Sequence, residues 1–94
     1  MKKFVLIHSY EREIGIAAVC KSLTHAQEEM LKELWNAMER EGEEKEKDFV
    51  RKEWAAALSS THGREGWTCG IYPHSAWWNS DKHSYDWKIV EIKV

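Results

Sequence analysis

The chain contains no long apolar run, only one proline and only two cysteines among its 94 residues. Its first apolar run, residues 4–7, stops at His8, which is short of the roughly 7–15 residues of a secretory signal. No other segment approaches the roughly 20 apolar residues that span a membrane as a helix. We therefore expect a cytoplasmic protein with no membrane partner, in which Cys20 and Cys69 are free thiols.

A concentrated basic surface is also missing from the sequence. Fourteen Lys and Arg residues are set against sixteen Asp and Glu residues, which gives a net charge of −2. Binding of duplex nucleic acid draws heavily on phosphate neutralisation by a basic face. We therefore exclude duplex nucleic acid as a partner. The charges of residues 39–48 alternate in sign, which is typical of a solvated helix face.

Tryptophan, by contrast, is abundant, with six residues in the chain. This length corresponds to one domain, residues 1–94, which buries only roughly 60–65% of the surface that its unfolded chain exposes. So small a core cannot hide every indole ring. We therefore expect some of the tryptophans on the surface or in a subunit interface, and we expect a homo-oligomer.

Hydrophobic periodicity predicts an α+β fold with the order ββ-αα-ββ, in which an antiparallel sheet of about four strands has both helices packed on one face. The helix of residues 25–41 is predicted to begin at Thr24, with Gln27 three residues later as a capping box. The sequence leaves open whether residues 25–59 form one kinked helix or two. The predicted strands are 3–10, 14–21, 67–72 and 86–94, and the predicted helices are 25–41 and 45–59.

The first two predicted strands differ from ordinary surface strands because both of their faces are largely apolar. Phe4 and Leu6 alternate with Val5 and Ile7. This pattern favours interior strands that are covered by helices on one side and open to a partner on the other.

The segment from Tyr72 to Trp87 holds five aromatic rings, two histidines and the chain's only proline. Aromatic residues with polar groups are typical of binding surfaces. Three rings are candidates to stack on a ligand, and four side chains are candidate donors to a phosphate or another polar group. The candidate rings are Tyr72, Trp77 and Trp78, and the candidate donors are Arg64, His74, Lys82 and His83.

A second interpretation of the same segment is structural. Trp67 and Trp87 would then be core residues on neighbouring strands, and Trp77 with Trp78 would cap an open edge of the core or fill a subunit contact. Adjacent residues of an extended chain point in opposite directions. If this segment is extended, at most one of Trp77 and Trp78 is therefore expected to face the core.

No motif in the chain indicates catalysis, a metal or a cofactor. The candidate ligands His62, Cys69, His74 and His83 lack the paired Cys-x-x-Cys or His-x₃-His spacing that makes zinc motifs specific. Neither cysteine begins a helix, where a thiolate would be stabilised. We therefore expect a non-enzymatic protein with no catalytic residues, no metal and no cofactor.

The ends of the chain carry a resemblance. The chain opens Met1-Lys-Lys-Phe-Val-Leu-Ile-His-Ser-Tyr10 and closes on Tyr85-Asp-Trp-Lys-Ile-Val-Glu-Ile92. This layout resembles small uncharacterised proteins of phages and mobile elements of Firmicutes. The resemblance covers roughly the first 35 and the last 25 residues and rests on structural motifs. It implies an accessory role, since such proteins include inhibitors of host defence that block a nuclease complex or sequester nucleotide signals.

These observations together predict an accessory binding protein of a phage or mobile element that acts stoichiometrically and antagonises a host defence system. The aromatic segment would hold either a nucleotide-like ligand or a host protein. The alternative is a structural homo-oligomer in which the Trp-rich end is the subunit interface and no ligand binds.

Overall fold

The computed structural model describes all 94 residues and begins with two long antiparallel strands, β1 (Lys2–Tyr10) and β2 (Glu13–Cys20). Glu11 and Arg12 form the turn between them, with positive φ angles of 48° and 73°. A two-residue hairpin turn with positive φ at both positions matches the right-handed twist of the strands, although it usually carries Asn-Gly. The predicted first hairpin is therefore confirmed, with slightly shifted ends.

Two separate helices follow, α1 (Leu23–Glu41) and α2 (Lys45–Ser59). Gly42 ends α1 in the left-handed conformation and donates its N–H to the last turn, as helix-terminating glycines commonly do. Residues 25–59 are thus two helices and not one kinked helix.

The start of α1 differs from the predicted capping box. Ser22, and not Thr24, caps the helix, because its hydroxyl oxygen accepts the backbone N–H of His25 at 3.1 Å. Gln27 instead donates its side-chain amide to the carbonyl oxygen of Pro73 at 2.9 Å. A contact that is distant in sequence has replaced the local one, so Gln27 fastens α1 to the second half of the chain.

Four strands complete the fold: β3 (Arg64–Glu65), β4 (Cys69–Tyr72), β5 (Ser75–Asn79) and β6 (Ser84–Lys93). The sheet has six antiparallel strands in the order β2-β1-β6-β5-β4-β3. The predicted α+β class and antiparallel sheet are confirmed, but the number of about four strands and the order ββ-αα-ββ are wrong. β3 is too short to show a hydrophobic alternation. β5 resembles a loop in the sequence because the turns at Pro73 and Ser80 lie on either side of it.

Both helices pack against the same face of the sheet and form one core with it. The α1 residues Met30, Leu34 and Met38 are fully buried there, where they join sheet residues of alternating position such as Leu6 and Ile89 in one cluster. A buried Leu, Ile or Met side chain contributes roughly 1.5–3 kcal/mol relative to exposure. This two-layer arrangement is only 18 Å thick along its shortest axis.

No element covers the opposite face of the sheet. β1 is interior as predicted, but β2 is an edge strand, which corrects the expectation that both strands of the first hairpin lie inside the sheet. The pairing of β2 with β1 shifts by one residue between Leu6 and Ile7. Such a bulge twists an edge away from further strand pairing.

Candidate functional site

The tryptophans divide differently between core and surface than the sequence pattern suggests. Trp78 is only 1% exposed and is among the largest fully buried side chains, whereas Trp67 is 94% exposed at the turn between β3 and β4. Trp78 therefore has no free face for a ligand and is no longer a candidate binding residue. The prediction that Trp67 is a core residue is wrong, and only Trp87 of the predicted core pair is buried.

Three buried aromatic side chains form a stack inside the molecule, and the more exposed Tyr10 extends it. The ring of Tyr85 lies between Trp78 and Trp87, with centroid distances of 5.2 and 5.8 Å, and Tyr10 stacks on Tyr85 at 4.9 Å. Offset aromatic pairs at such distances contribute about 0.5–1.5 kcal/mol beyond burial. Three of the five rings of the aromatic segment, those of Trp78, Tyr85 and Trp87, are thus part of the core.

Trp77 is the one tryptophan of this segment on the uncovered face. It pairs across strands with Gly70 on β4 and Asp86 on β6, and its side chain is half-buried. The Tyr72 hydroxyl, two residues from Gly70 on the same face, donates a hydrogen bond to the Glu65 carboxylate. These two rings are therefore available on the sheet surface.

The candidate donors do not converge on one ligand. Arg64 and His74 lie by the turn between β4 and β5, whereas Lys82 and His83 lie by the turn between β5 and β6. The five residues of β5 separate these turns, which amounts to roughly 13 Å at about 3.3 Å per residue. A single phosphate cannot reach both ends.

The first group of donors is already partly engaged. The Arg64 guanidinium lies 3.6 Å from the Glu53 carboxylate and donates to the Gly63 carbonyl oxygen at 2.9 Å. His74 is exposed and lines an open depression with Tyr72 and the end of α2. This end of β5 is therefore a polar surface with one half-exposed ring.

The second group surrounds a carboxylate at the end of α1. Glu41 accepts hydrogen bonds from the Tyr85 hydroxyl at 2.5 Å and from Nδ1 of His83 at 3.4 Å. Burial opposes ionisation of Glu41, but the hydrogen bonds from Ser80, Tyr85 and His83 together hold its pKa below the ordinary value. Burial and the bond to Glu41 raise the pKa of Tyr85 to about 12. The His83 side chain therefore links the turn between β5 and β6 to the end of α1.

A strip of aliphatic side chains lies beside Trp77, and none of its residues was predicted from the sequence as a binding residue. Ile14 and Ile16 on the edge strand are 76% and 68% exposed. The strand registers place them on the uncovered face with other aliphatic side chains. The feature of the sequence that indicates this strip is the apolar character of both faces of the first hairpin. The remaining members are Val5, Ile7, Val19, Val90 and Ile92.

A shallow groove of about 300 Å³ joins the strip to the aromatic segment. Ile7 and Ile14 lie on one side of it and Trp77 on the other, with Asp86 and Lys88 between them. All six strands together occupy roughly 600 Å² in the plane of the sheet, polar positions such as Asp86 and Lys88 included, at about 3.3 Å per residue and about 4.8 Å between strands. That area approaches the roughly 800 Å² that each partner buries in a standard protein interface.

The remaining reactive groups are enclosed or dispersed. No group of three or more His, Cys, Asp or Glu side chains is placed to hold a metal ion. Both cysteines are free and buried, as expected for thiols outside a disulfide. Burial, and then the neighbouring Glu46, raise the pKa of Cys69 far above its ordinary value, so Cys69 is protonated at neutral pH.

Comparisons with known proteins add no further constraint. The chain matches no family model, no curated protein and no solved structure. Neither of its helices has the length and apolar character needed to cross a membrane.

Proposed function

We propose that this protein is a non-enzymatic binding protein that docks another protein on the uncovered face of its sheet and acts in stoichiometric amounts. The observation that carries the proposal is that Trp77 and a strip of exposed and half-buried aliphatic side chains lie side by side on one uncovered face. Monomeric proteins rarely expose contiguous apolar patches larger than about 300–600 Å², and such patches often mark interfaces.

The shape of the face favours a protein partner over a nucleotide-like ligand at the aromatic segment. Trp78 is enclosed, and the cationic and imidazole groups lie at opposite ends of β5. At the end of β5 where Tyr72 lies near Arg64, the Tyr72 hydroxyl is bonded to Glu65 and the Arg64 guanidinium lies 3.6 Å from the Glu53 carboxylate, so a phosphate would meet two acidic groups. A broad apolar surface flanked by one half-buried tryptophan instead fits a protein interface, in which an aromatic side chain is a common anchor.

The setting of this activity is proposed from the resemblance of the chain ends. On that basis the protein is an accessory protein of a phage or mobile element, its place of action is the cytoplasm, and its partner is a component of a host defence system. The partner surface must offer apolar side chains to the strip and an acidic and a basic group to Lys88 and Asp86.

Site-specific photo-crosslinking tests the proposal. A photoreactive amino acid at position 16 or 77 should capture the same host protein, and one at the exposed position Asn36 of α1 should not. The captured protein, once purified, should form a stoichiometric complex that Ile16→Lys weakens and the matched helix variant Asn36→Lys does not. Equal crosslinking from position 36, or none from positions 16 and 77, would contradict the proposal.

A second candidate function is the structural homo-oligomer, held through the same face. Asp86 and Lys88 are two residues apart on this face and opposite in charge. A two-fold axis crossing β6 at Trp87 would place Asp86 of each copy opposite Lys88 of the other, and Ile14 opposite Ile16. Crosslinking from position 16 that captures only a second copy of the chain would favour this candidate.

A further inference from the structure

A groove between α1 and α2, on the side of the molecule away from the uncovered sheet face, has no role in the binding just described. It has a volume of about 400 Å³, which lies within the roughly 300–1,000 Å³ of small-molecule sites. Leu31 and Val50 form its apolar floor, and Trp35 of α1 and Trp54 of α2 line it. Two indole rings therefore lie beside one concave apolar surface.

The groove is formed before any ligand arrives. Leu31 and Val50 are buried members of the core. The indole N–H of Trp35 donates to the Glu39 carboxylate at 2.9 Å, and Nζ of Lys47 lies 4.7 Å from the centroid of the Trp35 ring. These contacts fix the orientation of Trp35, so a ligand would not have to pay for ordering it. Trp54, by contrast, is 45% exposed and free to cover a bound molecule.

The charged groups of the groove favour an anion. Lys32 and Arg51 line it together with a single carboxylate, that of Glu28. Nζ of Lys32 is 3.9 Å from the nearest carboxylate oxygen, on Glu29, which is at the limit of an ion pair. Arg51 donates one hydrogen bond to Asp48 at 2.7 Å and lies 5.4 Å from the centroid of the Trp35 ring, which leaves the other donors of its guanidinium group for a ligand.

We propose that this groove binds a small planar aromatic anion, with its ring against Trp54 and its acidic group between Arg51 and Lys32. Both requirements come from the residues present, since stacking on tryptophan accepts any planar ring and a guanidinium group pairs well with phosphate or carboxylate. The volume suits a single small molecule, whereas a protein helix, about 10 Å wide, would overfill it.

Isothermal titration calorimetry with 1-naphthyl phosphate tests the proposal, with neutral 1-naphthol and inorganic phosphate as the two halves of the probe. The intact probe should bind with one site per chain and at least about tenfold more tightly than either half, since ring and anion each contribute. Trp54→Ala and Arg51→Gln should each weaken this binding by about tenfold.

Matched controls locate the site. Trp67→Ala removes an exposed indole elsewhere, Arg12→Gln removes a cation in the first hairpin turn, and Ile16→Lys disrupts the uncovered sheet face. None of the three should change the affinity for 1-naphthyl phosphate. Circular dichroism and thermal unfolding should show that every variant keeps the wild-type fold, since none of the replaced side chains is buried.

Several results would overturn the proposal. These are absence of binding at millimolar 1-naphthyl phosphate, equal affinity for 1-naphthol or for inorganic phosphate, and binding unaffected by Trp54→Ala and Arg51→Gln. Loss of probe binding in Ile16→Lys alone would assign the probe to the sheet face. Because the groove and the sheet face are on opposite sides, failure here would leave the proposed docking of a protein partner untouched.

Discussion

Trp77 covers Gly70 on the neighbouring strand so closely that a methyl group at position 70 would overlap the indole ring. The missing side chain lets the ring lie against the sheet instead of standing away from it. The single tryptophan of the uncovered face is thereby held in place, and its position decides the shape of the groove beside Ile7 and Ile14.

Gly70→Ala should displace the Trp77 ring and destabilise the protein by about 1–3 kcal/mol, the usual cost of overpacking. In the Trp77→Ala background the same change should cost less, because only the edge of the Tyr72 ring, at 3.0 Å, then lies close to the added methyl group. Chemical denaturation of the two single variants and the double variant measures this coupling. Additive effects would show that Gly70 is required for some reason other than the approach of Trp77.

Trp78→Ala and Trp67→Ala should differ strongly although they remove the same side chain. Loss of the enclosed Trp78 ring leaves a cavity beneath β5 and should cost about 3–5 kcal/mol in the free energy of unfolding. Loss of the exposed Trp67 ring should change it by less than about 0.5 kcal/mol. Urea unfolding followed by far-ultraviolet circular dichroism gives both values, and similar losses would refute the assignment of core and surface.

Glu41→Gln should lower stability at neutral pH by about 1–3 kcal/mol, because Tyr85 and His83 lose an ionised acceptor. The pKa of Glu41 is lowered from 4.5 in the folded protein, so its stabilising effect is fully present above that pH and is lost as the pH falls below it. The difference between wild type and Glu41→Gln should therefore shrink below about pH 4.5.

Glu53→Gln is the matched control for this measurement, since Glu53 makes only a looser 3.6 Å contact with Arg64 and is more exposed. It should have little effect at any pH.

At high pH the dependence of stability on pH has the opposite sign, because of Tyr85, whose pKa of about 12 lies above the ordinary 10. Stability from its neutral phenol is thus present below pH 10 and lost between pH 10 and 12. A Glu41→Gln difference that does not vary with pH would contradict the network.

Charge exchange on β6 tests whether the uncovered face binds a second copy. Asp86→Lys and Lys88→Asp should each weaken self-association, because like charges would then meet across the two-fold axis. An equimolar mixture of the two variants should associate again as a heterodimer. Sedimentation velocity measures all three samples, with Asp48→Lys on α2 as the control. A wild type that is monomeric at every concentration would remove the homo-oligomer candidate and leave the protein-docking proposal standing.

Local patterns predicted the helices and the long strands well. The apolar spacing of residues 25–41 and 45–59 is a property of neighbouring positions, and β1 and β6 carry the β-branched and aromatic residues that favour strands. The strand β5 was missed because its turn-forming flanks outweighed its two tryptophans. Its pairing with β4 and β6, which are separated from it only by short turns, decides its conformation.

The sequence by itself determined that successive residues of a strand face opposite sides of a sheet, and hence that one of Trp77 and Trp78 must leave the core once residues 75–79 form a strand. Only the tertiary structure decided which one. Both helices cover a single face of the sheet, and the pairing registers determine which residues of each strand lie on that face. The same packing placed Trp67 at an exposed turn and left the aliphatic side chains of β2 uncovered. The alternation of side chains along a strand sets only that neighbouring residues point in opposite directions. Which of the two is buried depends on where helices that are distant in sequence pack.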